Sequence, residues 1–463
     1  MLVQAIQTVE PHRRARILTK GGWHKNAFVL RDLVLGDQSE LLIFCPNGKF
    51  LPKMQQKGTL SQWQQHVAYF CIGNDLLLLA VSMAFAAVMQ EPLRVENGGF
   101  NCHGKSSTGK TTTQYVAASV MGPPSYMKTL LSTTCGLEGV ATEHNNILMV
   151  LNEFGQIEPK VAGAIAYMLG NGSGKMRANS QGTAKESFSW KNLFLCSAEV
   201  TLAEHMSVAG QAVKAGQEVR IADISADAGA GMGMFQNIHG FPAPADFGSD
   251  LQRRSAEYYG TAIVAYLVEL TANLDGHLNR ARQLMTEFLS KNVPQDAQGF
   301  VHRVGKRFAL VAAAGETATE MGITGWPQGE AFRAAASCFK RWREGKEDGD
   351  KSDDVTAHVV GFLQTNQHRL QDLRDKVNPA PGCIGFRNVG SKGEVTFFIT
   401  PAAFHNELCN GLDRDITCHG LLRANILKRG HGSHMQKIQR VPAYGGKVKR
   451  FYTLHFEKWP INP

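Results

Sequence analysis

The stretch GKSSTGKT, residues 104–111, constrains the fold of this chain more than any other feature. It matches G-x-x-x-x-G-K-[ST] in full, with a strand-like run from Phe100 to His103 before it and a helix-like run from Thr112 to Met121 after it. In such a strand–loop–helix unit, the backbone N–H groups of the loop and the positive end of the helix surround phosphate groups. The motif therefore predicts a nucleotide site in an α/β core.

The chemistry of phosphates assigns roles within this loop. Lys110 is expected to neutralise the β- and γ-phosphates of ATP, and the Thr111 hydroxyl to ligate Mg²⁺. The predicted nucleotide-binding residues of the loop and the first helical turn are Gly104, Lys105, Ser106, Ser107, Thr108, Gly109, Lys110, Thr111 and Thr112.

A second element, ILMVLNE, follows about forty residues later and predicts a buried strand that ends in Asn152 and Glu153. Glu153 is expected to polarise the attacking water. Asn152 offers a neutral amide to the metal where an aspartate is usual, so we expect slower hydrolysis rather than none. The alternative is a buried strand whose last two residues only cap it.

Two further residues come from later in the predicted core. The strand NLFLC ends at Ser197, and in ring ATPases of the AAA+ class a polar residue at this place senses the γ-phosphate; the alternative is an ordinary strand end. Arg220, in GQEVRIADI, is the candidate arginine finger that reaches a neighbouring subunit's site, and the alternative is a plain surface arginine. Arg303 and Arg307 are weaker sensor candidates.

A basic hairpin is predicted between Glu153 and Ser197, as strands at 175–179 and 186–190 around a polar turn. Ring helicases of superfamily 3 place such a hairpin in their central channel, against the DNA backbone. Lys175, Arg177 and Lys185 would make these contacts. The alternative is that the three cations only solvate a surface hairpin.

The positive charge of the chain is concentrated near its C-terminus. The net charge is +9, and the segment from Ile416 to Phe456 contains eight Lys or Arg residues but no Asp or Glu. Such a local field attracts polyanions, although a merely solubilising basic face is the alternative. The predicted DNA-binding residues of this segment are Lys428, Arg429, Lys447, Lys449 and Arg450.

The composition and the first residues of the sequence indicate the cellular compartment of the protein. The longest apolar run, Leu76 to Met89, is shorter than the roughly 20 residues of a membrane span, so we expect a buried helix and no membrane partner. The first residues lack the apolar core of a secretory signal, which predicts a cytoplasmic protein. Nine scattered cysteines without a C-x-x-C pair indicate neither a disulfide framework nor a zinc site.

The order of the predicted elements gives the fold class and the domain plan. We expect an α/β protein with a P-loop NTPase core of the AAA+ type, a helical lid, an N-terminal region containing short strands, and a C-terminal winged-helix-like domain. The predicted divisions are an N-terminal region (1–94), the ATPase core with its hairpin insert (95–225), the helical lid region (226–350), a linker and helix (351–380), and a basic DNA-binding domain (381–463). The polar stretch GKEDGDKSDD, 345–354, is the predicted linker.

Several longer stretches resemble one bacterial family, known as domain of unknown function 927. The family consists of superfamily 3-like or AAA+-like ATPases of phages and mobile elements, often joined to a primase region. The stretches that carry the resemblance are GTLSQWQQHVA, HGKSSTGKTTT, TTCGLEGVATEHNNILMVLNE, LGNGSGKMRA, GQEVRIADI, RFALVAAAGETATEMGITGWPQGEA and GFR near Phe386. Two positions depart from the family pattern: Asn152 replaces an aspartate, and Ala198 stands where glycine is frequent.

The resemblance implies a homo-hexameric, ATP- and Mg²⁺-dependent helicase that replicates a phage or mobile element. Single-stranded DNA would run through the channel, and duplex DNA would bind the C-terminal domain. The chain contains no primase motif, so any primase partner is expected to be a separate polypeptide. Two alternatives stay open: an ATP-gated DNA-binding or assembly protein with slow hydrolysis, and a signalling or defence ATPase.

Overall fold

The chain folds into two compact units, Met1–Trp342 and Arg343–Pro463. The structure is a computed structural model, and it describes residues 14–30, 33–37, 39–46, 54–129, 134–175, 177–178, 184–185, 187–211, 213–391, 393–410, 412–430, 434–457 and 459. Each unit has its own hydrophobic core.

Short strands open the first unit, as the alternation of apolar runs with Gly, Asn and Pro predicts. They are β1 (Ala15–Leu18), β2 (Gly22–His24), β3 (Ala27–Leu30), β4 (Leu33–Gly36) and β5 (Leu41–Phe44). Strands β2, β3 and β4 form an antiparallel sheet, and β1 pairs with β5 in parallel. Thr59 caps the following helix α1 (Leu60–His66), since its hydroxyl accepts from the Gln62 N–H at 3.2 Å.

The apolar run near residue 80 forms helix α2 (Asp75–Met89), and every one of its residues is buried, as predicted. It packs against helix α3 (Lys110–Met121) and helix α11 (Gly299–Glu320). Asp75 at its start is buried but paired, since Arg333 and Arg341 donate to its carboxylate at 2.8 and 3.4 Å. The pairing compensates for the cost of burying this charge.

A five-stranded parallel sheet forms the centre of the first unit. Its strands are β6 (Gly98–His103), β7 (Lys128–Thr129), β8 (Met149–Asn152), β11 (Leu193–Ala198) and β12 (Ile221–Ser225), in the order β12-β6-β11-β8-β7. Helices cover both faces, which explains why β8 and β11 are almost wholly apolar. All five strands run in one direction, so all their carboxyl ends lie along one edge of the sheet.

The other helices of this unit connect or cover the sheet. They are α4 (Thr134–Glu143), α5 (Pro159–Asn171), α6 (Leu202–Ser207), α7 (Ala215–Arg220), α8 (Pro244–Glu257), α9 (Thr261–Ala272) and α10 (Leu274–Asn292). The hairpin strands β9 (Arg177–Ala178) and β10 (Ala184–Lys185) follow α5. No helix in the part of the chain that the structure describes has both the length and the apolar character needed to cross a membrane.

The second unit is built on a six-stranded sheet. Its strands are β13 (Leu370–Asp372), β14 (Gly385–Val389), β15 (Val395–Ile399), β16 (Leu427–Lys428), β17 (Lys437–Arg440) and β18 (Val448–Phe456). The order is β13-β14-β15-β18-β16, with β17 also paired to β18. The helical segments are α13 (Pro401–Ala403), which continues as a wider turn over Phe404–Leu408, and α14 (Arg414–Arg423).

The region between residues 330 and 376 differs from the sequence-based expectation. Helix α12 runs without a break from Glu330 to Thr365 and includes the predicted linker, 345–354. The stretch contains no proline, and its lysines and glutamates are good helix formers. The helix expected within the division 351–380 is the end of α12, which stops at Thr365, and β13 follows it. The other predicted domain divisions stay predictions.

Candidate functional site

The predicted phosphate loop lies between β6 and α3, where Lys110 is the first helical residue. Gly109 has φ 97°, in the left-handed region that favours glycine. A Cβ at this position would lie 2.8 Å from the Phe235 ring, so there is no room for a side chain. The glycine that the motif requires is therefore also required by the surrounding structure.

Lys110 lies across the loop that precedes it. Its ammonium group donates to the carbonyl oxygens of Gly104 and Lys105, both at 2.6 Å. Burial lowers the pKa of Lys110, and the nearby carboxylate of Glu199 opposes this change. The lysine is thus a half-buried cation at the carboxyl edge of the sheet, beside the start of α3.

Strands β8 and β11 are neighbours, and the polar residues at their ends are joined by hydrogen bonds. Ser197 Oγ lies 2.9 Å from Asn152 Oδ1 and 3.1 Å from Gln114 Oε1, and it accepts from the Glu153 N–H at 3.3 Å. Gln114 in turn donates from Nε2 to the Leu151 carbonyl oxygen at 2.8 Å. The amide oxygen of Asn152 is therefore held in place by a neighbouring strand.

Glu153 follows β8 in a left-handed conformation, with φ 59°. This conformation is uncommon outside glycine and is frequent at functional sites. The carboxylate of Glu153 is exposed and accepts a hydrogen bond from the side chain of Gln156.

One cavity of about 790 Å³ brings most of the predicted nucleotide-binding residues together. Its lining includes residues 106–112 of the loop and α3, together with Asn152, Glu153 and Ser197. The lining also contains Glu199, just beyond β11, and His205 on α6. Gly104 and Lys105 are not among the lining residues, and their carbonyl oxygens accept from Lys110.

The opposite wall of the cavity comes from a segment for which sequence motifs predicted no role. Its lining residues are Met232, Phe235, Pro244, Ala245, Gly248, Ser249 and Gln252, from the glycine-rich connection after β12 and from α8. Gln252 Nε2 donates to Thr112 Oγ1 at 2.7 Å, and the Met234 N–H donates to the Thr108 carbonyl oxygen at 2.8 Å. Thr112, predicted to bind nucleotide, is thus buried and bonded to α8. The glycines of this connection indicated a turn but not which residues it would bring to the loop.

Arg220 lies away from this cavity. It ends α7 just before Ile221, which pairs with Gly99 at the start of β6, whereas the loop follows His103 at the end of that strand. At roughly 3.3 Å per residue, the length of β6 separates the two edges by about 16 Å. The guanidinium donates to Asn171 Oδ1 at 2.7 and 3.0 Å, and its carbon lies 4.7 Å from the centre of the Tyr167 ring.

The two weaker sensor candidates also lie at the amino edge of the sheet. Arg307 is buried and donates to the carbonyl oxygens of Val219 and Gly99 at 2.8 and 3.3 Å. Arg303 forms an ion pair with Glu96 at 2.6 Å. These contacts give both arginines a structural role in their own chain, which argues against a sensor role at the cavity.

A hairpin is present in the predicted region as the antiparallel pair β9–β10, in which Arg177 pairs with Lys185. Its second strand covers Ala184–Lys185 instead of the predicted 186–190. The side chains of Arg177 and Lys185 lie outside the described part of the chain. At the base of the hairpin, the Lys175 N–H donates to Glu138 Oε1 at 3.1 Å. Glu138 is a buried residue of α4, so this helix supports one end of the hairpin.

The C-terminal basic residues are divided between different places on the second unit. Strands β17 and β18 pair as an antiparallel hairpin. Arg450 and Arg429 line a cavity of about 530 Å³ together with Arg414. Lys449 has the opposite orientation along β18, and its ammonium lies 3.9 Å from the centre of the Tyr444 ring. Lys428 donates to Asn425 Oδ1 at 2.8 Å, and Lys447 is exposed beside the turn.

The cavity in the first unit offers oxygen donors that suit a hard divalent cation. They are the hydroxyl of Thr111, the amide oxygen of Asn152 and the carboxylates of Glu153 and Glu199. Among the described residues there is no group of three His, Cys, Asp or Glu side chains that would hold a metal without further ligands. The donors present thus fit a cation that arrives together with phosphate oxygens.

The chain also resembles solved structures. Its structure superposes on one named "SCCmec type IV Cch - active helicase" with a TM-score of 0.62, 18% sequence identity, and coverage of 98% of this chain and 81% of that chain. At this identity the similarity shows a shared fold. No curated protein matches the chain.

A family model also matches part of the sequence. The model of the domain of unknown function DUF927 matches residues 1–189. This range contains the phosphate-loop motif and almost the whole predicted hairpin, while the later stretches that resemble the family lie beyond it. The resemblance to this family is thus confirmed over residues 1–189.

Proposed function

We propose that the chain is an ATP-driven DNA helicase or translocase that acts as a homo-hexamer in the replication of a phage or mobile element. The observation that carries this proposal is the cavity at the carboxyl edge of the parallel sheet. Its lining includes the phosphate loop, Lys110 and the ends of the two neighbouring strands. The named helicase with the same fold supports the same class of activity.

ATP hydrolysis requires charge stabilisation and a positioned water. Lys110 would bind the β- and γ-phosphates, and Glu153 would accept the proton of the attacking water. Thr111 and Asn152 would hold Mg²⁺, which when bound supplies positive charge against the phosphates. Ser197 contacts Asn152 and the Glu153 N–H, so it can transmit the state of the γ-phosphate to both residues.

The wall formed by the segment after β12 suits the base of the nucleotide. The phosphates of ATP would extend from the strand ends past Thr112, and α8 lies directly beyond, bonded to Thr112 through Gln252. Met232 and Pro244 are partly exposed and give this wall an apolar surface against which a purine can lie, and the buried ring of Phe235 packs behind it.

Ring formation is inferred from the position of Arg220. This arginine and the chain's own loop are at opposite edges of the sheet, so Arg220 cannot serve the site of its own chain. In a ring, the amino edge of one subunit can face the cavity of the next, where Arg220 would stabilise the transferring phosphate in trans.

DNA would contact two parts of the protein. Lys175, Arg177 and Lys185 on the β9–β10 hairpin would follow a single strand through the ring. The C-terminal unit would bind duplex DNA through Lys428, Arg429, Lys447, Lys449 and Arg450, on a winged-helix-like domain whose wing is the β17–β18 hairpin. A primase would act as a separate partner.

One observation favours a second candidate, an ATP-gated DNA-binding or assembly protein. Asn152 carries no charge, and its amide oxygen is already within hydrogen-bond distance of Ser197. The site would then bind ATP firmly and hydrolyse it slowly, with ATP serving as a ring-forming ligand.

Strand displacement distinguishes the two functions. A forked duplex is incubated with the full chain under three conditions: with ATP, with a hydrolysis-resistant ATP analogue, and without nucleotide. The helicase proposal predicts unwinding with ATP only, and the same substrate should stimulate ATP turnover. Binding that depends on either nucleotide, without unwinding under any condition, would instead support the gated protein.

A further inference from the structure

Glu199 follows the middle strand of the nucleotide site. Strand β11 lies between β6, which leads into the phosphate loop, and β8, which ends at Asn152. Glu199 comes directly after Ala198, the last residue of β11, at the carboxyl edge. Its place in the sheet is therefore between the loop and Asn152.

Two hydrogen bonds connect this strand end to the phosphate-loop lysine. The Gly104 N–H donates to the Ala198 carbonyl oxygen at 3.2 Å, and the Gly104 carbonyl oxygen accepts from Lys110 at 2.6 Å. Glu199 and Lys110 line the same cavity, and the Glu199 carboxylate raises the pKa of Lys110 against the effect of burial. The carboxylate is thus close enough to act electrostatically on the phosphate-binding cation.

The site has a particular need for this carboxylate. Among the described residues that line the cavity, only Glu153 and Glu199 carry one, and the carboxylate of Glu153 accepts from Gln156 and is the expected base. Asn152, where an aspartate is usual, is neutral. A carboxylate within the hydration shell of a bound Mg²⁺ strengthens metal binding through charge and hydrogen bonds.

We infer that Glu199 is a positioning residue that replaces the aspartate usual at position 152 and holds the hydration shell of the divalent cation beside Asn152. This inference rests on the proposed ATP site and concerns how that site holds its metal. Because β11 and β8 are neighbouring strands, the carboxylate of Glu199 after the end of β11 can act on a cation that Asn152 holds at the end of β8.

Metal-dependent nucleotide binding tests this role without reference to turnover. The affinity of the full chain for a fluorescent, hydrolysis-resistant ATP analogue is measured with Mg²⁺ and with a chelator, and the ratio of the two is the Mg²⁺ gain. Glu199→Gln keeps the size and removes the charge, so we expect the Mg²⁺ gain to fall by about 10-fold to 100-fold. Without metal, its affinity should equal or exceed that of the wild type, since Lys110 loses a nearby competing anion.

Two further variants make the test specific. Asn152→Asp restores a carboxylate at the usual place, so the double variant with Glu199→Gln should recover most of the Mg²⁺ gain. Glu158→Gln, an exposed carboxylate outside the cavity, is the matched control and should behave as wild type.

The outcomes separate the inference from the proposed function. A wild type that binds no analogue would contradict the ATP site itself. A wild type with a clear Mg²⁺ gain that Glu199→Gln retains in full would overturn only the role of Glu199. Loss of the gain that Asn152→Asp does not repair would also overturn it, because Glu199 would then not be replacing the aspartate.

Discussion

The two edges of the central sheet differ in how they use their cations. At the carboxyl edge, Lys110 faces a cavity of about 790 Å³ whose other polar groups include serine, threonine, amide and carboxylate side chains. At the amino edge, Arg303 and Arg307 bind groups of their own chain. Arg220 lies at the same edge, beside β12, and its side chain is partly exposed. The first edge carries the ATP site that we propose, whereas the second carries Arg220, which we propose acts on a neighbouring subunit.

Arg307 is buried in the fold at the amino edge of the sheet. It is 2% exposed, and burial lowers its pKa to about 10. A Cβ on Gly98 would lie 1.9 Å from the guanidinium, so the strand itself is shaped around this side chain. These contacts support a structural role for Arg307, and Arg220 is the residue at this edge for which we propose a function.

The largest expected effect comes from the carboxyl edge. Lys110→Ala removes the cation aimed at the phosphates, so we expect ATP turnover to fall below detection and nucleotide affinity to drop. Steady-state ATPase assays measure the first and analogue binding the second. Lys160→Ala, at an exposed position on α5, is the control. Turnover at the wild-type rate in Lys110→Ala would refute the site.

At the amino edge, changes of Arg303 and Arg307 should affect stability rather than turnover per folded molecule. Arg307→Met leaves several backbone carbonyl groups buried without their donor, at a cost of roughly 2–4 kcal/mol in the free energy of unfolding. Arg303→Met removes an exposed ion pair and should cost about 0–1 kcal/mol. Chemical denaturation of both variants checks the difference. Equal losses would contradict the structural role of Arg307.

The two proposed DNA surfaces should respond differently. Changing Lys175, Arg177 and Lys185 to Ala should impair unwinding and DNA-stimulated turnover much more than equilibrium DNA binding, because translocation depends on a few contacts that move with the nucleotide state. Changing Lys447, Lys449 and Arg450 to Ala should instead weaken duplex binding, and each lost phosphate contact should reduce the salt slope of log K by about 0.9.

A salt titration and a strand-displacement time course separate these two sets. A C-terminal variant with wild-type affinity and salt slope would mean that the basic segment is only a solvated face. Normal unwinding by the hairpin variant would contradict the channel assignment and favour the gated protein.

The smallest effect concerns Glu143, at the end of α4. Burial raises the pKa of its carboxyl group to about 7, while nearby Lys128 opposes the shift. The folded-state pKa is above the unfolded value, so the folded chain loses stability as pH rises from about 4.5 through 7. Glu143→Gln removes this loss and should raise the melting temperature by roughly 1–3 °C at pH 8, with less gain at pH 5. Thermal melts at both pH values check this, and Glu158→Gln should show no such pH dependence.

Sequence motifs predicted the carboxyl edge well, for a physical reason. Parallel strands bring their carboxyl ends to one edge, so the ends of three apolar runs can be assigned to one site from the order of the elements alone. Asn152, Ser197 and the loop lie there together. Gln252 and Phe235 could not be assigned, since they reach the cavity through a long glycine-rich connection whose path depends on tertiary contacts.

In the C-terminal unit, the placement of individual side chains could not be predicted from the sequence. The positive charge of this unit was evident from composition, and its basic residues lie partly on the β17–β18 hairpin. The division of Lys449 and Arg450 between two faces follows from the alternation along a strand, which needs a known register. The segment predicted as a linker is helical, because a polar, charged segment can be helical where its neighbours extend the helix.

The central claim is that two subunits complete each site, one with its loop and the other with Arg220. It is tested by mixing Lys110→Ala protein with Arg220→Ala protein and measuring ATP turnover against each variant alone. Arg220→Ala should still bind nucleotide but hydrolyse it slowly, and mixed rings should regain turnover, because some of their interfaces pair an intact loop with an intact Arg220. Turnover in the mixture that equals the sum of the two separate variants, at concentrations where rings exchange subunits, would contradict a finger acting in trans.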